Sequence, residues 1–299
     1  LVGPDGAGKT TLIRLIAGLL RPQSGRITVC GFDSVGQAEA IHGVVGYMPQ
    51  RFGLYEDLTV SENLNLNADL RAVTGQERAQ VFERLLGFTG LAPFTKRLAG
   101  ALSGGMKQKL GLACTLIRPP RLLLLDEPLG ALDRRLREQT QFELVNIQEQ
   151  VGITFVIVTH DQEEAMTMSS RIAVMNSGWI AQVGTPAQIY EYPVTKFVAE
   201  FIGSVNMFAG RILEDEPDHV LIQSEEAGCD LYINHGVPVP LGTPVWVAVR
   251  PEKMSISREP PPVDSGRNVT RGTVREIAYL GNLSNYLIEL DSGKMVRIT

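Results

Sequence analysis

Two kinds of hydrophobic spacing divide the chain, and the change lies near residue 203. Before it, apolar residues recur at helical spacing, and short apolar runs at 44–48, 121–126 and 153–159 are typical of buried strands. Helices that alternate with such strands predict an α/β fold with a parallel sheet. Residues 61–88 are helical in pattern with no strand between them. We therefore expect a helical insert at about residues 58–118.

After residue 203 the pattern is of strand type, with apolar runs at 221–222, 230–233, 245–249, 272–279 and 284–290 separated by Pro and Gly turns. This predicts a small all-β domain of barrel type. We expect domains at residues 1–203 and 204–299. The chain begins with Leu1 rather than Met and ends inside a strand-like run, so we expect both domains to be truncated.

The most informative motif lies at the start, where residues 3–10 fit the phosphate-binding pattern G-x-x-x-x-G-K-[ST]. Glycines permit a tight loop whose N–H groups point at an anion. Lys9 can reach the β- and γ-phosphates, and the Thr10 hydroxyl can hold Mg²⁺. Residues 12–20 are apolar on most faces and predict a buried helix. The expected ATP-binding residues are Gly3, Pro4, Asp5, Gly6, Ala7, Gly8, Lys9, Thr10 and Thr11.

Polar residues follow the predicted strands, at the edge where ligands of open α/β sheets bind. Asp126 and Glu127 end the strand at 121–126. We expect Asp126 to bind Mg²⁺ and Glu127 to polarise the attacking water. His160 ends a neighbouring strand, where it would contact the γ-phosphate. Gln50 also follows a strand, and taken alone it is either a metal ligand or an ordinary loop residue.

A second anion site is predicted at Ser103, a good helix N-cap that precedes Gly104 and Gly105. The glycines leave the helix N-terminus bare, so its N–H groups can contact an anion. A capped surface helix is the alternative.

Composition narrows the class of protein. The hydrophobic fraction is 44%, and no apolar run approaches the roughly 18 residues that span a bilayer. A membrane role would therefore be peripheral. The net charge of −5 argues against nucleic acid as a partner. Cys30, Cys114 and Cys229 lack metal-site spacing and predict free thiols in a reducing compartment.

Three motifs occur in a characteristic order: the phosphate-binding loop at residues 3–10 (the P-loop), Leu102-Ser-Gly-Gly and Asp126-Glu-Pro. With these motifs the chain resembles the ATPase subunit of ABC transporters. The resemblance implies a Q-loop at Gln50, which would ligate Mg²⁺, a signature at 103–108, a D-loop at 131–133 and a switch histidine at His160. In that family two subunits pair head-to-tail, and each signature meets the ATP of the other. The residues implied to contact the opposing ATP are Ser103, Gly104, Gly105, Gln108 and Asp133.

The same resemblance implies the remaining partners and the location. Transmembrane permease subunits would be supplied by other chains, and a periplasmic substrate-binding protein would act indirectly. The ATPase would lie on the cytoplasmic face of the inner membrane. The β domain resembles the TOBE domain of importer ATPases, since it contains Val249-Arg-Pro-Glu252.

The two parts of the chain resemble different relatives. Residues after about 129 resemble a putrescine or spermidine importer ATPase, whereas residues 1–126 resemble a multidrug-exporter ATPase, so we expect a chimera. Polyamine import is the favoured function, and drug export is the alternative. A soluble ABC ATPase without a transport role, or an ATP-sensing regulator, is the alternative of another class. The aromatic residue that stacks on adenine in this family lies upstream of the P-loop and is not in this sequence.

Overall fold

The computed structural model describes residues 1–50, 53–130, 132–262 and 266–299. The chain forms two compact units, Leu1–Glu191 and Tyr192–Thr299. The sequence pattern predicts the change at residue 203, whereas the compact units divide between residues 191 and 192. The short helix Lys196–Phe201 therefore lies in the second unit.

The first unit alternates helices and short strands, as its hydrophobic spacing predicted. Its helices are α1 (Lys9–Ile16), α2 (Ala38–Val44), α3 (Val60–Leu70), α4 (Gly75–Thr89), α5 (Gly104–Leu116), α6 (Arg134–Val151), α7 (Gln162–Met168) and α8 (Pro186–Glu191). Its strands are β1 (Thr28–Val29), β2 (Phe32–Asp33), β3 (Val45–Met48), β4 (Leu122–Asp126), β5 (Thr154–Val158), β6 (Ile172–Asn176) and β7 (Trp179–Gly184).

A parallel sheet with the order β3-β4-β5 lies at the centre of this unit. Met48 pairs with Leu125, and Asp126 pairs with Val158, so the three strands end at one edge. Val2 extends the sheet, because it forms parallel bridges to Thr159 and to β6. The loops that carry Gln50, Glu127 and His160 therefore leave the sheet side by side.

Apolar packing covers both faces of the sheet. Helices α3, α4 and α5 share one buried cluster with β4, and this confirms the helical insert. On the other face, α1 packs through Ile13 and Ala17 against Leu124 and Val158. The α/β cassette with a helical insert is confirmed as the fold of this unit.

The expected burial of the first helix over residues 12–20 is wrong at its end. Helix α1 ends at Ile16, and Leu19 and Leu20 are 51% and 41% exposed. Gly18 adopts a φ of +71°, a left-handed conformation that stops a helix.

The second unit contains α9 (Lys196–Phe201), a 3₁₀ turn at Pro251–Lys253 and seven strands among its described residues. These are β8 (Asn206–Glu216), β9 (His219–Gln223), β10 (Leu231–Ile233), β11 (Pro244–Val249), β12 (Gly272–Tyr279), β13 (Ser284–Leu290) and β14 (Met295–Ile298). They form antiparallel sheets of order β10-β9-β8-β11 and β12-β13-β14 around one apolar core. Asn206 joins the sheets, because its amide group bonds to both the N–H and the C=O of Arg297.

Candidate active site

The loop before α1 has the geometry of a phosphate cradle. Gly6 and Gly8 have φ angles of +76° and +96°, which side chains rarely permit. Gly8 is the N-cap of α1 and makes no side-chain cap bond, so the N–H groups at the helix N-terminus can bind an anion. A Cβ on Gly3 would lie 2.2 Å from the carbonyl oxygen of Met175, so only glycine fits there. Thr11 follows on α1 and is exposed.

Lys9 lies inside this loop with only 5% of its surface exposed. Its Nζ donates hydrogen bonds to the carbonyl oxygens of Gly3 at 2.8 Å and of Pro4 at 2.9 Å. A buried ammonium group is costly unless negative charge is near it, and these carbonyls carry only partial charge. The loop thus supplies a buried cation and bare N–H groups together. This donor set fits the phosphates of a nucleotide.

Thr10 and Asp126 meet where α1 faces the end of β4. The Thr10 hydroxyl donates to Oδ1 of Asp126 at 3.1 Å, and the Tyr47 hydroxyl donates to Oδ2 at 3.2 Å. Partial burial raises the pKa of Tyr47, so its hydroxyl stays a donor. A hydroxyl beside a carboxylate is a donor set that fits Mg²⁺. Gln50, the third expected metal ligand, bonds elsewhere.

Glu127 is the centre of a polar cluster at the strand ends. Gln50 Nε2 donates to its Oε2 at 3.0 Å, and His160 Nδ1 lies 3.3 Å from the same oxygen. The Glu127 backbone has a φ of +47°, rare for a residue with a side chain. The Glu127 and Asp126 carboxylates have different partners, and backbone outliers of this kind cluster at functional sites.

The loop residue Asp5 also reaches this cluster. One ligand atom each from Asp5, Glu127 and His160 lies within 4.8 Å of the others. The P-loop and the ends of β4 and β5 thus converge on one small volume. Sequence reasoning placed Asp5 on a phosphate and did not predict its approach to Glu127.

Thr159 and Asp161 hold the loop of His160 on both sides. The Thr159 hydroxyl donates to the buried Glu164 at 2.6 Å, and Asp161 caps α7. Arg137 from α6 pairs with Asp161 at 3.0 Å and donates to the Leu132 carbonyl at 3.1 Å. Burial raises the pKa of Glu164. This network connects the histidine loop to the predicted D-loop.

The second predicted anion site starts at Ser103, whose exposed side chain caps α5 as expected. Added Cβ atoms on Gly104 and Gly105 would lie 2.9 Å from Leu132 and 3.1 Å from Leu136. The glycines therefore also allow α5 to pack closely on the next motif.

The other residues expected to meet an opposing ATP lie in two different environments. Asp133 is exposed and caps α6 through Leu136 N at 3.0 Å. The Gln108 side chain is only 1% exposed, so it lies in the interior rather than at the expected surface. It is buried because α5 is covered along most of its length. Ala131, the first residue of the predicted D-loop, lies outside the described residues.

The β6–β7 hairpin forms backbone hydrogen bonds to the P-loop and to the residue before it. The Gly178 N–H donates to the Ala7 carbonyl at 2.9 Å, and the Met175 N–H donates to the Val2 carbonyl at 2.7 Å. Sequence reasoning found this turn but gave it no role, since nothing local shows that it meets the P-loop.

Comparison with known proteins agrees with this geometry. The ABC transporter family matches residues 1–130, and the TOBE domain family matches residues 247–299. The putrescine transport ATP-binding protein PotG of Escherichia coli (strain K12) is 43% identical over 296 residues, covering 99% of this chain and 78% of that protein. The chain belongs to the ABC transporter ATP-binding proteins.

Other relatives extend the comparison. The spermidine/putrescine import ATP-binding protein PotA of Trichodesmium erythraeum is 38% identical over 304 residues, covering 100% of this chain and 79% of that protein. The structure of cbiO1 from Clostridium perfringens, part of the ABC transporter complex cbiONQ, matches with a TM-score of 0.59 and 26% identity. It covers 64% of this chain and 78% of that structure.

The family membership makes this chain an ABC-type ATPase that binds ATP. The expected chimera is not supported. Importer-type relatives align over 99% and 100% of this chain, and these alignments include residues 1–126. Residues 1–126, which resemble an exporter in their motifs, therefore align with importer-type relatives as well. Throughout the described parts of the chain, no helix combines the length and apolar character that crossing a membrane requires.

Proposed function

We propose that the chain hydrolyses ATP to power the import of polyamines, with putrescine as the preferred substrate. The observation that carries the hydrolytic part is the Glu127 carboxylate, which contacts Gln50 and His160 beside the Thr10–Asp126 pair. The substrate class rests on relatives whose names specify putrescine or spermidine/putrescine, the first at 43% identity.

The P-loop and its partners bind the nucleotide. Bound Mg·ATP would supply the phosphoanhydride bond whose cleavage releases free energy. Lys9 and the loop N–H groups would neutralise phosphate charge, and Thr10, Asp126 and Gln50 are the residues that would hold Mg²⁺. When a phosphate binds, the Lys9 ammonium would exchange its hydrogen bonds to the Gly3 and Pro4 carbonyls for contacts with the phosphate oxygens.

Glu127 and His160 act on the reacting end of the nucleotide. The Glu127 carboxylate accepts a proton from the attacking water and orients it. His160 contacts the γ-phosphate and, through its 3.3 Å contact, keeps Glu127 in place. Catalysis of this kind rests on positioning and on electrostatic stabilisation of the transferred group.

A second copy of the chain completes the site. Ser103, Gly104, Gly105 and Asp133 would face the ATP held by the opposing P-loop, in a head-to-tail pair. Their exposed or half-exposed positions support this role for all except Gly105, which is buried. We leave the interior Gln108 side chain out of this contact.

The helical insert would pass movement to transmembrane permease subunits at the cytoplasmic face of the inner membrane. A periplasmic substrate-binding protein would deliver the polyamine to those subunits. The TOBE-type domain, which we place at residues 204–299, would regulate the cassette.

Lys9→Ala tests the nucleotide site. Removing the buried ammonium should weaken binding of a fluorescent ATP analogue about 10- to 100-fold, because a charged contact to phosphate is lost. Lys96→Ala, which removes an exposed lysine, is the control and should bind normally. Equal affinity in the two variants would refute the role of Lys9.

Uptake of radiolabelled putrescine tests the substrate. The chain, co-expressed with its permease and binding-protein subunits in a strain without its own importer, should restore uptake, and Glu127→Gln should not. ATP hydrolysis without putrescine or spermidine uptake would reject the polyamine assignment and leave the ATPase intact.

A further inference from the structure

A tyrosine and an arginine with no assigned role lie next to the proposed metal site. Thr10 and Arg14 are four residues apart on α1, so their side chains share one face of the helix. Tyr47 on β3 pairs with Leu124, which is two residues before Asp126 on β4. Side chains two apart on a strand share a face, so Tyr47 and Asp126 both point towards α1.

Two hydrogen bonds and one electrostatic contact connect the four side chains in a row. The Arg14 guanidinium lies close enough to the Tyr47 hydroxyl to interact with it electrostatically, and that hydroxyl donates to Oδ2 of Asp126 at 3.2 Å. Thr10 donates to Oδ1 of the same carboxylate at 3.1 Å. Each carboxylate oxygen therefore accepts from a different hydroxyl, and the two donors come from different elements.

The environment of Asp126 makes the orientation of its carboxylate important. The residue is only 2% exposed, so water has little access to it. Thr10 is a proposed metal ligand and has to turn its oxygen lone pair to the ion when the metal binds. Tyr47 has no such second role, and its hydroxyl can hold Oδ2 in both states.

We propose that Tyr47, with Arg14 beside it, is a positioning residue that orients the Asp126 carboxylate for Mg²⁺ through the hydrogen bond to Oδ2. The inference rests on the proposed ATPase function. Hydrogen bonds to the groups that ligate a metal fix their geometry, and their loss typically weakens metal binding about 10- to 100-fold. Tyr47 contacts neither nucleotide nor water in this role.

Manganese binding measured by electron paramagnetic resonance tests the proposal without relying on turnover. The full chain is mixed with the non-hydrolysable analogue AMPPNP and titrated with Mn²⁺, whose free signal falls on binding. Tyr47→Phe removes one oxygen and should weaken Mn²⁺ binding about 10- to 100-fold. Binding of AMPPNP without metal, which depends on Lys9 and the loop, should not change.

Tyr286→Phe is the matched control, because it removes a phenol hydroxyl from the second unit and should leave Mn²⁺ binding unchanged. Arg14→Met is a second variant at an exposed position, so it should fold, and it should weaken Mn²⁺ binding less than Tyr47→Phe. Unchanged Mn²⁺ affinity in Tyr47→Phe overturns the proposal. If that variant does not fold, unchanged affinity in Arg14→Met overturns it instead.

Asp126→Asn separates this inference from the proposed function. Weaker Mn²⁺ binding in Asp126→Asn, with normal binding in Tyr47→Phe, would reject the positioning role alone. Normal binding in Asp126→Asn would reject the metal site itself.

Discussion

The thiol of Cys114 lies in the middle of α5 and is only 5% exposed. Burial raises its pKa to about 12, although the nearby Arg71 favours the thiolate. At pH 8 only about 10⁻⁴ of such a thiol is ionised, and the thiolate is the reactive form. Cys114 is therefore an inert part of the core that joins the helical insert to the sheet.

Alkylation with iodoacetamide at pH 8 should distinguish the cysteines. Cys114 should react at least about 100-fold more slowly than the partly exposed Cys30, because it is both buried and protonated. Mass spectrometry of native samples measures the rates, and the same reaction in denaturant is the control. Equal native rates would show that α5 opens readily.

Residue types at strand ends were enough to predict side chains that the structure brings together at the sheet edge. Asp126, Glu127 and His160 could be found because the carboxyl ends of parallel strands share one edge. Gln50 remained ambiguous until its bond to Glu127 was seen. Tyr47 could not be found, because its contact depends on the register of β3 against β4 and on the placement of α1.

At the scale of elements, β3 packs closely on its neighbours at Gly46. A Cβ there would lie 2.9 Å from both Leu123 and Thr115 and 3.1 Å from Pro120. Gly46 has no left-handed backbone, so its role is the close approach of β3 to α5 and β4. Gly46 directly precedes Tyr47 on β3, so this close packing fixes the backbone next to the tyrosine.

Gly46→Ala should destabilise the first unit by about 1–3 kcal/mol, because the added methyl group overpacks a filled site. Gly43→Ala is the matched control three residues away, where no atom lies within 4 Å of an added Cβ. It lies in α2 and should stabilise by up to about 1 kcal/mol. Urea unfolding measures both, and similar values for the two would contradict the close packing.

Hydrophobic spacing predicted most elements but not all of their limits. The helical insert and strands β3, β4 and β5 agree with the prediction, because their apolar runs are long or strongly periodic. Strand β8 was missed, since its outer half carries Glu214, Asp215 and Glu216 and reads as a polar loop. Pairing of β8 with β9 and β11 across the sheet holds that segment extended.

At the scale of the whole molecule, ATP hydrolysis should be coupled to association. Glu127→Gln should lower turnover by about 10²–10⁴-fold, because the group that accepts the proton is lost while nucleotide contacts remain. ATP should then hold the protein as a dimer, which size-exclusion chromatography with light scattering detects. Glu127→Gln combined with Lys9→Ala is the control and should stay monomeric with ATP. Wild-type turnover in Glu127→Gln would rule out the base assignment.

The domain boundary near residue 203 stays a prediction from the change in spacing, and the two compact units divide between Glu191 and Tyr192. Polyamine import could be predicted only through the resemblance to importer ATPases, which the named relatives support, because the motifs of the nucleotide site do not indicate the transported substrate. The predicted exporter origin of residues 1–126 is wrong, because it rested on short motifs. Alignment to a putrescine transport protein over 99% of this chain includes those residues.

The packing of Gly104 on Leu132 and of Gly105 on Leu136 has an evolutionary consequence. The two segments are far apart in the sequence but in close contact in the fold. A change of side-chain size in one therefore limits which residues fit in the other. A larger residue at 104 should be inherited together with a smaller one at 132, and the two single changes should cost more than the pair. The signature and the D-loop are therefore expected to covary among descendants of this protein.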